Sequence, residues 1–320
     1  MTRINLEATL TIQKSRERLD QALARAFSDY SRSRLQKWIA DGYVKVNGVI
    51  ITEQRYKVSG GETVVIAAET QSETDWTPEQ ISLDIIHEDE HILVINKPAN
   101  MVVHPAAGNY DGTLVNGLLF HRPELSEIPR AGIVHRLDKD TTGLMVVAKT
   151  LVAHAKLVDD LKEHLVGRHY ECLVYGHMIA GGTVDEPIGR NPRNRKSMAV
   201  VANGKPSVTY YRIARKYKDF TLLDISLETG RTHQIRVHMS HLKYPLVGDP
   251  VYSPRIRFPA GCSDEFKKEL SHFKRQALHA RQLSLSHPVT GNALTWQADR
   301  PDDFEQLIAR LEQEPSQNVG

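Results

Sequence analysis

The 320-residue sequence predicts an α+β fold in two parts. A small helix–helix–hairpin domain occupies residues 15–68, and an acidic linker follows at 69–80. A larger domain at 81–308 is built on a mixed, largely antiparallel sheet with peripheral helices, and 309–320 read as a C-terminal tail. Three observations predict this layout. After residue 81, strand-like and helix-like runs do not alternate regularly, which disfavours a doubly wound sheet. Residues 67–90 carry eight Asp/Glu and no Lys/Arg, with Pro78 among them, a composition suited to a connector. Ahead of that connector, two short amphipathic segments precede an Asn47-Gly48 turn signal.

Each element has its local reason. Leu19, Leu23 and Phe27 recur at helical spacing. Ser31 can cap a second helix over 33–40, whose apolar side carries Leu35, Trp38 and Ile39, and Asp41-Gly42 stops it. Val44, Val46, Ile50 and Ile51 flank Asn47-Gly48 as a hairpin. Val64, Val65 and Ile66 make another short strand after Gly60-Gly61. In the larger domain, strands are expected at 92–96, 132–136, 144–148, 170–175, 207–214 and 221–227. Helices are expected at 113–120, 151–165, 232–242 and 302–311. No internal repeat is evident, and the last residues, 312–320, are expected to fray.

Bulk properties narrow the function. Hydrophobic residues make up 40% and charged residues 25%, as in an ordinary globular protein. No apolar run approaches the roughly 18 residues of a membrane span, and the N-terminus has no signal-peptide core. Cys172 and Cys262 lie far apart without metal-ligand spacing, so no disulfide framework is expected and a reducing cytoplasm fits. With no coiled coil or long apolar edge, a monomer is expected. The net charge of +2 conceals segregation. Residues 14–66 hold ten Lys/Arg against six Asp/Glu, and residues 190–218 hold nine Lys/Arg and no acid. Two such basic clusters suit a polyanionic partner.

The densest chemistry lies at 135–144, HRLDKDTTGL. Six residues bring together His135, Arg136, Asp138, Lys139 and Asp140. A turn that only reverses the chain needs Gly, Asn or Pro and has no use for this mixture. Loops on a rigid scaffold are where reactive groups sit. On residues alone, a charged surface hairpin stays open as an alternative. There is no P-loop, dinucleotide fingerprint or zinc spacing, so no cofactor is expected. His233, His238 and His241 are spaced as a metal site could be, but lack a carboxylate or Cys of matching geometry, and no metal is expected.

HRLDKDTTGL, with RHYECLVY at 168–175 and GRTHQIRVHMSH at 230–241, resembles the motifs of the pseudouridine synthases related to ribosomal large-subunit synthase A. Asn96-Lys97-Pro98 is similar to that family's first motif, and RQALHARQLSLSHPVTG at 275–291 to its closing segment. SRSRLQKWIADGYVKVNG at 31–48 resembles the S4 RNA-binding module. The resemblance implies that Asp138 is the catalytic carboxylate and that Arg236 pairs with it. A guanidinium beside a carboxylate keeps it ionised even in a closed site. Tyr170 would pack on the uracil and assist loss of the C5 proton, and Ile235 would be an apolar neighbour of the base. Arg136 would enter the space left by a flipped uridine, and Arg231 would contact RNA. Lys97-Pro98 would buttress the floor, with His279 and Ala280 packed behind it. Arg32, Arg34, Lys37 and Lys45 would face RNA phosphates. Asp140 is given a structural role, capping the next turn with Thr141 and Thr142, and His135 a structural role or a weak RNA contact.

The partner so implied is RNA: 23S rRNA or a large-subunit precursor, with uridines of the helix-69 stem-loop as target. Tyr110, the stretch 253–261 and the tail depart from the family pattern and leave the exact uridines open. The same chemistry on another rRNA site or a tRNA is an alternative, as are a catalytically silent RNA-binding assembly factor and a metal-dependent nuclease. Deletion of residues 1–68 is expected to weaken binding to structured RNA, and its salt dependence, more than the bond chemistry. Filter binding of the truncated and full-length proteins across a salt series checks this.

Overall fold

The computed structural model describes residues 2–11, 16–27, 30, 32–53, 55–70, 76–105, 109–194 and 197–314. It divides into two compact units, Met1–Asp75 and Trp76–Gly320.

In the first unit the order is β1 (Thr2–Thr9), β2 (Glu17–Arg18), α1 (Leu19–Ala26), α2 (Arg32–Ala40), β3 (Val44–Val46), β4 (Val49–Ile50), β5 (Lys57–Val58) and β6 (Thr63–Thr70). Strands β1-β6-β3-β4 form one sheet, and β2 pairs with β5. Leu19, Leu23, Leu35 and Ile39 of the two helices share a core with Val44, Val46, Val64 and Ile66. Asn47 and Gly48 both have positive φ, 48° and 83°, the primed geometry that matches the twist of a tight hairpin. Strand β1 lies ahead of the boundary read from sequence at residue 15. It pairs antiparallel along all of β6, Thr2 opposite Thr70 and Thr9 opposite Thr63. That partner is some sixty residues away, which no local pattern announces. Ser31, expected to cap α2, lies outside the described residues.

In the second unit the order is β7 (Ile85–Glu88), β8 (Ile92–Lys97), α3 (Leu114–His121), β9 (Thr142–Ala148), α4 (Leu151–Lys162), β10 (Gly167–Tyr175), β11 (Gly182–Asp185), β12 (Ile188–Arg190), β13 (Met198–Val200), β14 (Val208–Lys216), β15 (Phe220–Leu227), α5 (Gln234–His241), α6 (Asp264–His272), β16 (Leu278–Ser286), β17 (Ala293–Gln297) and α7 (Asp302–Gln313). Nine of the strands form one sheet, β11-β14-β15-β10-β16-β9-β8-β7, with β17 also on β16. Among the described residues its one parallel pairing is β9 with β16, so the sheet is mixed and largely antiparallel. Side chains alternate faces along a strand. Tyr170, Cys172 and Val174 of β10 therefore join the core that includes Ile235 and Met239 of α5. Leu173 and Tyr175 join the opposite core, with Phe266 of α6 and Phe304 of α7. Both cysteines are free and buried.

Three sequence-based boundaries shift. The strand expected at 132–136 is absent. Arg130, Ala131 and Gly132 all have positive φ (55°, 51° and 79°), and a β-carbon at 132 would overlap the Ala148 carbonyl. Three left-handed residues in a row turn the chain out of strand geometry, and only an isolated bridge, Ile133 to Val147, remains. The acidic stretch 69–80 is divided. Its first two residues finish β6. Trp76 packs edge-on to His104 with ring centroids 4.9 Å apart, and the Asn116 amide donates to the Thr77 carbonyl at 2.9 Å. Residues 71–75 lie outside the described residues. At the C-terminus the helix continues past 308 to Gln313, because Leu311 extends its apolar stripe into the core beside Leu307 and Ile308.

The parallel pairing is short, His279 opposite Thr142 and Ala280 opposite Gly143, before β17 takes over the edge of β16. Gly143 sits there at φ 112°, and a β-carbon would run into the Ala280 backbone. Gly143→Ala is expected to cost roughly 3 kcal/mol or more, from left-handed strain and overpacking together. A thermal melt reads this as a drop of about 6–12 °C.

Candidate active site

The loop from His135 to Thr141 is held by its backbone, and the side chains that hold it come from distant parts of the chain. Lys97, at the end of β8, is buried. Its ammonium donates to the carbonyls of Pro98 (2.7 Å), Met101 (3.0 Å) and Lys139 (2.9 Å). Three acceptors require three N–H groups, which only the charged form supplies. Burial pulls this group down to about 7, while the carboxylates of Asp140 and Asp138 oppose the shift. Arg275 is paired with Asp303 through Nε (2.6 Å) and Nη2 (2.7 Å) and donates from Nη1 to the Asp140 carbonyl at 3.3 Å. The Gln276 amide donates to Thr141 Oγ1 at 2.9 Å. His279 Nε2 donates to the Ala298 carbonyl (3.1 Å), so its Nδ1 accepts the Thr142 hydroxyl (2.8 Å).

His135 serves the sheet. Strand β9 leaves β16 after Gly143, and the Val146 N–H that would otherwise lack a partner donates to His135 Nε2 at 3.1 Å. Burial, with the charge of Arg168 adding, pushes His135 down to about 3. The ring therefore stays neutral, as an acceptor must. Asp140 does not cap the next turn as expected. That turn is closed by Thr141 N–H to the Asp138 carbonyl at 3.1 Å, and the threonine hydroxyls are taken by Gln276 and His279.

This frame presents Asp138, partly exposed, to Arg236 of α5. Arg236 Nη1 donates to Asp138 Oδ2 at 2.9 Å. The same guanidinium is fixed from behind by Asp249, with Nε to Oδ2 at 2.7 Å and Nη2 to Oδ1 at 2.9 Å. Asp249 is fully buried, and its Oδ1 also accepts the N–H groups of Val251 (2.8 Å) and Tyr252 (3.0 Å). Burial disfavours the Arg236 charge, but Asp249 and Asp138 more than reverse this and strengthen its hold on the proton. Two carboxylates on one cation leave the Asp138 pair one-sided: Oδ2 is held by Arg236, and Oδ1 faces His233 at a longer distance.

His233, in the left-handed region at φ 58°, caps α5. The Tyr252 hydroxyl accepts the Met198 N–H (3.0 Å) and so directs its own proton to His233 Nδ1 (2.9 Å). The ring's Nε2–H then points at Asp138 Oδ1 across 3.9 Å. Burial holds His233 below its usual value, against the pull of Asp138. Tyr170 lies buried on the sheet face beneath, in one core with Ile235. Burial raises its phenol, Arg168 opposes this and Asp138 adds to it, so Tyr170 stays protonated at neutral pH.

Among the residues expected to meet RNA, Arg136 is exposed and has no partner among the described residues. Arg231 is half-buried, and its Nε donates to the Pro206 carbonyl at 3.1 Å. The hairpin β12–β13, whose loop and second strand lie in the basic stretch, reaches the site through the Met198–Tyr252 bond. In the first unit Lys37 and Lys45 are exposed. Arg32 is partly committed: its Nη2 donates to the buried Asp20 at 2.7 Å. Burial raises the Asp20 carboxyl, and bonds from Gln36, Arg32 and Arg18 more than reverse that. The Arg34 side chain lies outside the described residues. Asp138 thus pairs with Arg236 and its charge reaches Tyr170, while the residues of the first unit belong to a separate body.

Sequence reading missed Asp249, Tyr252 and the placement of His233. The signal for Asp249 was the string Gly-Asp-Pro at 248–250: an Asp one residue before Pro commonly starts a side-chain turn. Nothing local ties that turn to Arg236. The three histidines of α5 and its cap do not converge. His238 bonds Thr209 and the Glu186 carbonyl, and among the described residues no group of three or more His, Cys, Asp or Glu is placed to hold a metal ion.

A carboxylate on a bolted loop, faced by a doubly anchored arginine, with a buried tyrosine near enough to feel its charge, carries the motifs of one enzyme family. The chain matches the RNA pseudouridylate synthase family over residues 91–241 and the S4 domain over residues 17–64. It belongs to the RNA pseudouridylate synthase family. It is 54% identical to the ribosomal large subunit pseudouridine synthase D of Escherichia coli strain K12, over 96% of this chain and 94% of that one. It is 52% identical to the protein of the same name from Pasteurella multocida, over 97% and 96%. Among solved structures, Human RNA Pseudouridylate Synthase Domain Containing 4 aligns with a TM-score of 0.55 at 27% identity, covering 73% of this chain and 94% of that one. Domain Containing 1 aligns at 0.53 and 25%, covering 73% and 97%.

Asp249→Asn leaves the buried Arg236 short of a counter-charge. The expected result is a loss of about 3–5 kcal/mol in urea melts. Turnover is expected to fall about 100-fold or more as the guanidinium leaves Asp138.

Proposed function

We propose that this protein isomerises uridines to pseudouridine in 23S rRNA of the large ribosomal subunit, with the helix-69 stem-loop as its target. The names of the relatives give the ribosomal large subunit, their near full-length similarity supports carrying that over, and the helix-69 target rests on the resemblance of the motifs. The observation that carries the chemistry is the Asp138–Arg236 pair at 2.9 Å, anchored by the buried Asp249.

The reaction breaks the N1–C1′ bond, rotates the uracil and joins C5 to C1′. The proton leaving C5 is matched by one gained at N1, so no external group or redox partner is consumed. In this reading Asp138 Oδ1 acts at the ribose, while Arg236 keeps Oδ2 and the negative charge in place. An ion pair prepared before substrate arrives requires no reorganisation during the reaction. Tyr170 packs its ring on the uracil. A protonated phenol donates a hydrogen bond, so Tyr170 assists loss of the C5 proton only by passing its own proton on. Ile235 adds an apolar contact to the base. Arg136, exposed and unpaired, occupies the gap left by the flipped nucleotide. Arg231 and the basic hairpin line the approach, and Lys37, Lys45, Arg34 and the free part of Arg32 meet phosphates elsewhere on the RNA.

Pseudouridine mapping of an unmodified 23S rRNA transcript tests this. Wild-type protein is expected to modify the helix-69 loop. Asp138→Asn is expected to lose more than ~10⁴-fold in rate while still binding the RNA. Normal turnover by Asp138→Asn would refute the assignment of the carboxylate. Modification at another rRNA site or in tRNA only would replace the target and keep the chemistry.

A further inference from the structure

Most buried cations near the groove are matched to acceptors. Arg236 faces two carboxylates, Arg275 faces Asp303, and Lys97 is wrapped in three carbonyls. Arg168 is the exception. It is only 8% exposed, yet among the described residues no carboxylate lies within ion-pair distance of it. Its one hydrogen bond runs from Nη2 to the Glu228 carbonyl at 3.1 Å, an oxygen already shared with His164 Nδ1 at 2.6 Å. Nε is sealed from solvent without a partner. Enclosing a guanidinium and leaving its donors unmet destabilises a fold, so a retained group of this kind calls for an acceptor that arrives with a ligand.

Its position says where that ligand lies. Arg168 stands on β10 two residues before Tyr170 and therefore on the same sheet face. It packs against Gly230, where a β-carbon would come within 2.5 Å of Nη1. Gly230 opens the GRTHQIR segment that carries His233 and Arg236. The charge of Arg168 is felt by both His135 and Tyr170. The guanidinium thus sits where three parts of the candidate site meet: the motif loop, the tyrosine strand and the turn into α5. Nη1 makes no hydrogen bond among the described residues and Nη2 has a second N–H, so the guanidinium keeps donors of the kind that bind phosphodiester oxygens.

We propose that Arg168 binds a backbone phosphate of the RNA next to the flipped uridine, through Nη1 and the second N–H of Nη2. This rests on the reading of the chain as an RNA pseudouridine synthase. Arg168 is then a substrate-binding residue of the site, and Gly230 leaves the room that its Nη1 occupies.

The test compares full-length wild type, Arg168→Gln, Arg168→Lys and Gly230→Ala, using the 23S rRNA transcript as probe. Kd is measured across a salt series, kcat at saturating RNA, and the melting temperature of each free protein. Arg168→Gln is expected to bind roughly 10- to 100-fold more weakly. Its salt slope should fall by about 0.7–0.9, the value for one phosphate contact, and its melting temperature should equal or exceed that of wild type. Arg168→Lys should keep the salt slope and recover part of the affinity. Gly230→Ala, which displaces the guanidinium without removing its charge, should also weaken binding. Unchanged affinity and slope in Arg168→Gln together with a lower melting temperature would overturn the proposal and make Arg168 an internal brace. Wild-type binding by Gly230→Ala would also overturn it. If wild type binds the transcript but forms no pseudouridine, the functional reading fails by itself, and Kd and slope still decide Arg168.

Discussion

The structure turns on a single guanidinium shared between two carboxylates. Arg236 is buried and would be costly there without a counter-charge. Asp249 supplies that charge through a two-point contact and is in turn fixed by two backbone N–H groups. The remaining Nη1 is thereby aimed at Asp138 from a rigid base. The order matters: the inner carboxylate neutralises the arginine and the outer one borrows its direction. Without Asp249, the arginine would be free to swing and Asp138 would lose its partner.

The outer carboxylate has to be placed as firmly as the arginine. The loop that carries it has no regular secondary structure, and its carbonyls would otherwise depend on water. They are met by Lys97 and Arg275, with Gln276 and His279 holding the threonine hydroxyls. These residues lie on β8 and around the start of β16, on either side of β9 in the sheet. The loop is therefore tied to the two neighbours of the strand it feeds. Gly143 permits the close approach of β9 and β16 at that point, and His135 takes up the N–H left over where they part. Within the motif, His135, Thr141 and Thr142 thus have structural tasks and Asp138 is held by Arg236, while the side chains of Arg136, Lys139 and Asp140 make no hydrogen bond or ion pair among the described residues.

The first unit follows a different physical logic. Its core is aliphatic and small, and its exposed lysines and arginines make it a carrier of positive charge. Contacts of that type give affinity and salt dependence without reading bases. The acidic stretch between the units carries charge of the wrong sign for RNA and separates the two basic surfaces along the chain.

The sequence by itself determined the α+β class, most helices and strands, and three of the residues that meet in the groove. Helix and strand periodicity are local properties, and the Asp138, Tyr170 and Arg236 motifs are continuous strings. What it misjudged was decided by contacts distant in the chain. Strand β1 exists because β6 offers it an edge. The strand expected at 132–136 is lost because three left-handed residues fit the chain against Ala148. Asp140 does not cap because the Thr141 N–H is already taken by the Asp138 carbonyl and the threonine hydroxyls by Gln276 and His279. Asp249, Tyr252 and His233 become parts of one network only when the turn after β15 and the one after α5 are brought together. Hydrogen bonds and ion pairs act over about 3 Å, so which side chains share them is a property of the folded sheet and cannot be read from spacing along the chain.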